Sequence, residues 1–261
     1  MAVQQICTVV EMTQLDASTW WMVLEVGKLV EQHGLTGGQF LQVKCGHSRL
    51  LRRPISVART QWDEPEDTAA LIFEVRGEGT RWLSRRKVGD KLDVLGPLGN
   101  GFDVSEEGRY LLVGGGIGVP PLMEYGESPR WSKVAVLGFR TKDKAFPAVV
   151  SRFEENCEQT YLCTDDGTLG RHGFVDGQVR EILEQDKAFT GILACGPRPM
   201  LKSVTAVAAH FGVPCQVSME ERMACGVGAC LGCAIQMTDG TMKHVCKDGP
   251  VFHAEEVDWD A

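Results

Sequence analysis

Over the first hundred or so residues the apolar positions come in short β-branched or aromatic runs, at 6–12, 20–26, 39–44, 55–59, 71–75 and 91–95. Glycines or charged residues separate them, and closely spaced strands of this kind predict a small antiparallel barrel. One helical segment, 80–87, follows Gly77, Glu78 and Gly79. After Asp103 the period changes. Buried-strand patterns at 109–113, 134–139, 160–163 and 191–195 alternate with helical patterns at 148–156, 176–185 and 199–211. A further helix is expected from about Pro120. Strands alternating with helices imply a parallel sheet with right-handed crossovers. The expected fold class is therefore multi-domain, β plus α/β. An antiparallel barrel occupies 1–103, a parallel-sheet α/β domain 104–213, and a small third unit 214–261.

Composition narrows the function classes. The chain has 261 residues, is 43 % hydrophobic and carries a formal net charge of −8. That balance gives no basic stripe to displace counterions, so nucleic acid is not an expected partner. The apolar run 111–122 is broken by Gly114, Gly115, Gly116, Gly118, Pro120 and Pro121, and no membrane span is expected. Residues 1–5 show no basic segment leading into an apolar core, so no signal peptide is expected. The ten cysteines are then expected to stay reduced, in a cytoplasmic setting.

Four of those cysteines carry the strongest chemical signal. Cys225, Cys230 and Cys233 are spaced C-x4-C-x2-C, and Cys246 follows. This is the plant-type [2Fe–2S] spacing. Gly226, Gly228 and Gly232 let backbone fold tightly, so that amides point at sulfur. Zinc is the chief rival, since four thiolates suit it too, but zinc ribbons usually pair two C-x2-C hairpins. The other six, Cys7, Cys45, Cys157, Cys163, Cys195 and Cys215, read as small core residues.

Gly114, Gly115, Gly116 and Gly118 form a turn after a buried strand, with exposed N–H groups suited to a dinucleotide phosphate. Alone, such a turn is equally a tight connection. Cys195 and Gly196 close the fourth strand, where open parallel sheets bind ligands; the bland reading is another turn with a buried thiol. Arg53, Pro54, Ile55 and Ser56 head a barrel strand, with a guanidinium fork for pyrophosphate and a hydroxyl for a flavin edge. Thr80 reads as the N-cap of the helix after Gly79. Each of these has a purely structural alternative.

Together the motifs resemble a known family. Arg-Pro-Ile-Ser, Gly-Glu-Gly-Thr, Gly-Pro-Leu-Gly-Asn-Gly-Phe, Gly-Gly-Gly-Ile-Gly and Cys-Gly-Pro stand in the order found in the ferredoxin–NAD(P)H reductase superfamily. The cysteine loop, with Cys-Lys-Asp-Gly-Pro-Val-Phe after it, resembles the electron-transfer subunits of class 1B dihydroorotate dehydrogenases. The resemblance spans essentially the whole chain. It implies an FAD-binding barrel, an NAD-binding α/β domain and a [2Fe–2S] domain. Arg53, Pro54, Ile55, Ser56, Ile72, Phe73, Glu74, Gly79 and Thr80 would meet FAD. Gly114, Gly115, Gly116, Gly118, Cys195 and Gly196 would serve the dinucleotide site, and Cys225, Cys230, Cys233 and Cys246 the cluster. One departure stands out: relatives often carry Tyr-Arg at Phe73-Glu74. Arg76, two residues on, is the expected substitute cation.

The resemblance further implies a separate FMN-containing subunit that oxidises dihydroorotate, joined in a heterotetramer of two plus two. Electrons would pass from FMN through the cluster and FAD to NAD⁺, in pyrimidine (UMP) biosynthesis. No side chain of this chain is assigned as acid or base. A plant-type cluster near about −400 mV would accept electrons poorly from a flavin. A higher potential is expected, raised by burial or by hydrogen bonds to sulfur. Similar subunits serve sulfide dehydrogenase, ferredoxin:NADP⁺ oxidoreductase, hydrogenase and sulfite reductase complexes, which remain the alternative within oxidoreductases. A redox sensor without turnover is the alternative outside them. Asp165 and Asp166 after the third strand favour NAD over NADP, whereas Arg140 after the second pulls the other way.

Overall fold

The computed structural model describes residues 2–261 except 28, 30–33, 47–48, 63–66 and 105–106. The N-terminal runs form β1 (Val3–Gln14), β2 (Thr19–Glu25), β3 (Phe40–Val43), β4 (Arg53–Gln61) and β5 (Thr68–Glu74), then helix α1 (Glu78–Leu83) and β6 (Lys91–Leu98). They close as a barrel in the order β1-β2-β5-β4-β3-β6, antiparallel at every pairing. Period-two alternation drives the closure. Val9, Met22, Leu24, Leu41, Val57, Leu71, Leu92 and Val94 point inward and form one core.

Helix α1 starts two residues before the segment expected from sequence, and Thr80 is not its N-cap. Gly77 holds that place in extended backbone, at φ −157° and ψ −173°. Thr80 stands at the third helical position and reaches back. Its Oγ1 accepts from the amides of Arg76 (3.0 Å) and Gly77 (3.2 Å). This is one half of a capping box, the half in which the third helical residue bonds back to the N-cap amide, because Gly77 has no side chain to return the bond.

The second half supplies β7 (Arg109–Gly115), α2 (Met123–Glu127), β8 (Ser132–Phe139), α3 (Pro147–Asn156), β9 (Gln159–Thr164), β10 (Arg171–His172), α4 (Val175–Gln185), β11 (Gly191–Cys195), α5 (Arg198–Phe211) and β12 (Cys215–Ser218). A short hairpin of β13 (Ala234–Gln236) and β14 (Met242–His244) precedes β15 (Val251–His253). The main sheet runs β10-β9-β8-β7-β11-β12-β15. All its pairs are parallel except β12–β15. Alternate residues serve opposite faces: Leu111, Val113, Val134 and Ile192 pack toward α4 and α5, and Tyr110, Leu112, Ala135 and Leu193 toward α2 and α3.

One expectation changes here. No helix starts at Pro120. Two 3-10 turns, Gly116–Gly118 and Pro120–Leu122, carry the chain to the short α2. Within 214–261, β12 continues the sheet beside β11 and β15 closes that edge. Among the described residues no helix is long and apolar enough to cross a membrane.

The barrel and the α/β unit are fastened by half-buried polar contacts. Glu124 on α2 accepts from Thr36 Oγ1 (3.0 Å), Gly37 N (3.0 Å) and Thr60 Oγ1 (3.1 Å) of the barrel. Burial pushes its carboxyl up, against those hydrogen bonds. Lys144 Nζ reaches Asp16 Oδ2 (3.1 Å) and Ser18 Oγ (2.8 Å) in the β1–β2 turn.

Candidate functional site

A cavity of about 910 Å³ lies beyond the C-terminal ends of β7, β8, β9 and β11, against the barrel edge. This is where open parallel sheets bind ligands. Gly115, Gly116, Gly118 and Gly196 form its floor and Glu74 its barrel wall. A β-carbon on Gly116 (φ +53°) would meet nothing within 4 Å, so the backbone there is open to a ligand. Gly115 and Gly196 back onto Met200, whose sulfur would lie 2.4 Å and 3.0 Å from β-carbons placed on them. Gly114 instead packs on Val119, and Cys195 is buried at 3 % exposure. Burial pushes the Cys195 thiol up to about 12, so it sits as a neutral group beneath the floor rather than on it.

The expected flavin residues divide by strand alternation. Ile55 and Phe73 belong to the barrel core and offer a ligand only their backbone. Pro54 is exposed and Ser56 half-buried, while Ile72 faces the α/β unit. Arg53 lies over the start of α1, and a β-carbon on Gly79 would stand 2.7 Å from its Nε. That glycine therefore admits the guanidinium to the helix start. Arg76 Nε donates to Glu74 Oε2 at 2.8 Å, and both line the cavity. The cation offsets the acidic departure at Glu74.

The cysteine loop shows a donor set suited to an iron–sulfur cluster. Cys225 Sγ accepts from the amides of Val227 and Cys230, each at 3.4 Å. Cys246 Sγ accepts from Gly228 N at 3.2 Å, and Cys233 Sγ from Cys246 N at 3.5 Å. Positive φ at Gly226 (+73°) and Gly228 (+77°), and at Leu231 (+62°), turns these amides inward. Burial opposes ionisation of Cys225, but the Val227 and Cys230 amides and the Cys230 thiol outweigh it and hold the group at about 6. Thiolates are the metal-binding form. Cys233 and Cys246 are buried at 2 % exposure, whereas Cys230 is exposed. Among the described residues, no three His, Cys, Asp or Glu side chains converge as one single-ion site. The amide-to-sulfur bonds are what fit the cluster.

Comparison with known proteins agrees with this architecture. Residues 220–258 match the profile of the iron–sulfur cluster binding domain of dihydroorotate dehydrogenase B. The dihydroorotate dehydrogenase B (NAD(+)) electron transfer subunit of Bacillus pumilus is 44 % identical over 266 residues, covering 96 % of this chain and 96 % of that one. The chain belongs to this family of electron transfer subunits. The family member from Caldanaerobacter subterraneus is 42 % identical over 224 residues, covering 84 % of this chain and 86 % of its own. A solved NADH-dependent reduced ferredoxin-NADP oxidoreductase, described for flavin-based electron bifurcation, is 32 % identical at a TM-score of 0.85. It covers 98 % of this chain and 91 % of that chain. A gonococcal ferredoxin NADP⁺ reductase, 12 % identical at a TM-score of 0.65 over 85 % of this chain and 95 % of its own, shares the fold.

Set on that family frame, several wall residues escaped the sequence reading. Thr19, Phe139, Lys144 and Glu220 all line the cavity. Glu220 lies just past β12, a strand no motif marked. Asp165 and Arg140 are both on the wall, but Asp166 is turned away. Its Oδ1 accepts from Thr168 N (3.0 Å) and Thr168 Oγ1 (2.6 Å), as an Asx turn does.

Proposed function

We propose that this chain is the electron-transfer subunit of an NAD⁺-dependent dihydroorotate dehydrogenase, joined to an FMN-containing catalytic subunit as a two-plus-two heterotetramer in the cytoplasm. The observation that carries the reading is the cysteine loop, whose amides already point at the sulfurs, set against a reductase-type barrel and cavity. When bound, FAD supplies hydride exchange with NAD and single-electron exchange with the [2Fe–2S] cluster.

The chain's own residues bind and orient. Arg53, beside Gly79, offers a charge-assisted fork to a pyrophosphate, with Thr80 fixing the turn beneath it. Pro54, Ser56 and Ile72 present outward side chains to a flavin, Ile55 and Phe73 present backbone beside it, and Glu74 stands at the cavity edge paired with Arg76. Gly115, Gly116, Gly118 and Gly196 leave room for a dinucleotide, with Gly114 and Cys195 packed behind them. Asp165 suits a ribose 2′-hydroxyl and disfavours a 2′-phosphate, which supports NAD. Cys225, Cys230, Cys233 and Cys246 hold the cluster, Cys230 toward solvent and Cys233 and Cys246 inward. The functional division follows 1–103 for flavin, 104–213 for NAD and 214–261 for the cluster. No residue here acts as acid or base.

Identities of 38–44 % to curated family members favour this reading over the bifurcating oxidoreductase at 32 %. The test mixes the purified chain with a dihydroorotate-oxidising FMN subunit. The reading expects dihydroorotate-dependent NADH formation that needs both chains. Failure in that mixture, with turnover only alongside a different flavin or cluster subunit, would refute it.

A further inference from the structure

Strand β3 reads Phe40, Leu41, Gln42, Val43. Leu41 and Val43 point into the barrel core, so Phe40 and Gln42 share the outer face. Phe40 joins the core that holds Cys233, Val245, Cys246 and Phe252. Gln42, next along that face, is fully buried at 0 % exposure. Neither its Nε2 nor its Oε1 has a hydrogen-bond partner. A buried primary amide left unpaired is costly and calls for an explanation.

Its surroundings supply one. A β-carbon on Gly226 would stand 2.7 Å from Gln42 Nε2 and 2.8 Å from its Cγ. The amide is thus pressed against the Cys225–Gly226 step of the cysteine loop, where only glycine leaves it space. Across the strand, the backbone of Gln42 pairs with Pro54 of β4, the strand given to the flavin. Gln42 stands where barrel and cluster loop meet, with two free N–H donors facing the loop.

We propose that Gln42 Nε2 donates a hydrogen bond to a sulfur of the cluster on its Cys225 side, and that this bond raises the cluster's reduction potential. The inference rests on the cluster reading above. Hydrogen bonds to cluster sulfur stabilise the more negative, reduced state and so shift the potential upward. Gly226 then has a second role beside its positive φ: it makes room for the donor.

The experiment is a redox titration of the anaerobically purified chain and of Gln42→Leu, followed by EPR. Alongside it, pulsed EPR is recorded on reduced protein carrying glutamine labelled with ¹⁵N in the side-chain amide. The parent is expected to show a ¹⁵N coupling that Gln42→Leu lacks. The variant's potential should fall enough to change electron sharing with the flavin about tenfold, or ~59 mV for one electron. A loaded variant with an unmoved potential, or a parent cluster without ¹⁵N coupling, overturns the proposal. If Gln42→Leu loses its cluster, the labelled parent still decides. A parent chain with no [2Fe–2S] spectrum would instead overturn the cluster reading and this inference with it.

Discussion

Asn100 and Gly249 are joined by their backbones: Asn100 N donates to Gly249 O at 2.7 Å. Asn100 Nδ2 adds a bond to Asp248 O at 3.2 Å. The glycine-rich connector after β6 therefore holds the segment just past Cys246. Gly99 (φ +70°) permits this approach, since a β-carbon there would lie 2.5 Å from Pro250 Cδ and 2.8 Å from Gly249 O. Gly99→Ala should overpack that contact at a cost of about 1–3 kcal/mol. The expected outcome is a lower iron-to-flavin ratio with FAD retained, read by iron analysis and the visible spectrum. Equal loss of iron and flavin would show that the contact serves the whole fold.

Arg53 is the cation placed at the start of α1. Arg53→Ala removes a charge-assisted bond of about 1.5–3 kcal/mol, and FAD should dissociate roughly ten- to a hundredfold more readily. Gel filtration followed by flavin fluorescence measures this. Arg53→Lys should recover only part, because a point charge replaces a fork.

Asp165 and Arg140 share the cavity wall, and the proposed ribose preference rests on them. Asp165→Ala should narrow the preference for NADH over NADPH about tenfold, the effect of ~1.4 kcal/mol at one hydrogen-bonded group. Steady-state kinetics with both nucleotides and an artificial acceptor give the ratio. An unchanged ratio would move the discrimination to another residue.

Asp16 ties the β1–β2 turn to Lys144. Burial alone would raise its carboxyl, but the Ser18 amide, the Lys144 ammonium and the Thr19 amide hold it below its ordinary value. The folded state thus binds this proton less readily than the unfolded one. The contribution is present above the ordinary carboxylate value and is lost as pH falls through the lowered one. The Tm gap between the parent and Asp16→Asn should be constant from pH 7 to about 5 and shrink below about pH 4. A gap that does not change with pH would mean that the carboxylate's charge contributes nothing.

Much of this architecture was legible in the chain. The six barrel strands and four of the parallel strands, β7, β8, β9 and β11, were found because hydrophobic runs and glycine punctuation are local signals. What sequence missed depends on residues brought together from afar. Gln42 reads as a polar, outward strand position, and only the Cys225–Gly226 loop folding over it buries it. The strand Cys215–Ser218 is too short to show a period, yet β11 pairing draws it into the sheet. Thr80 could not be told from an N-cap, because a hydroxyl at either position of a first turn can accept from a backbone amide, and only the helix start at Glu78 shows which. Ile55 and Phe73 sit within flavin motifs, but strand period alone sends their side chains inward.

The central claim is that one chain holds both a flavin and an iron–sulfur cluster. The direct measurement is iron, acid-labile sulfide and flavin analysis on protein purified without oxygen. About one FAD, two irons and two sulfides per chain are expected, with cluster signals lost in Cys233→Ser. Zinc at the four cysteines and no bound flavin would contradict it.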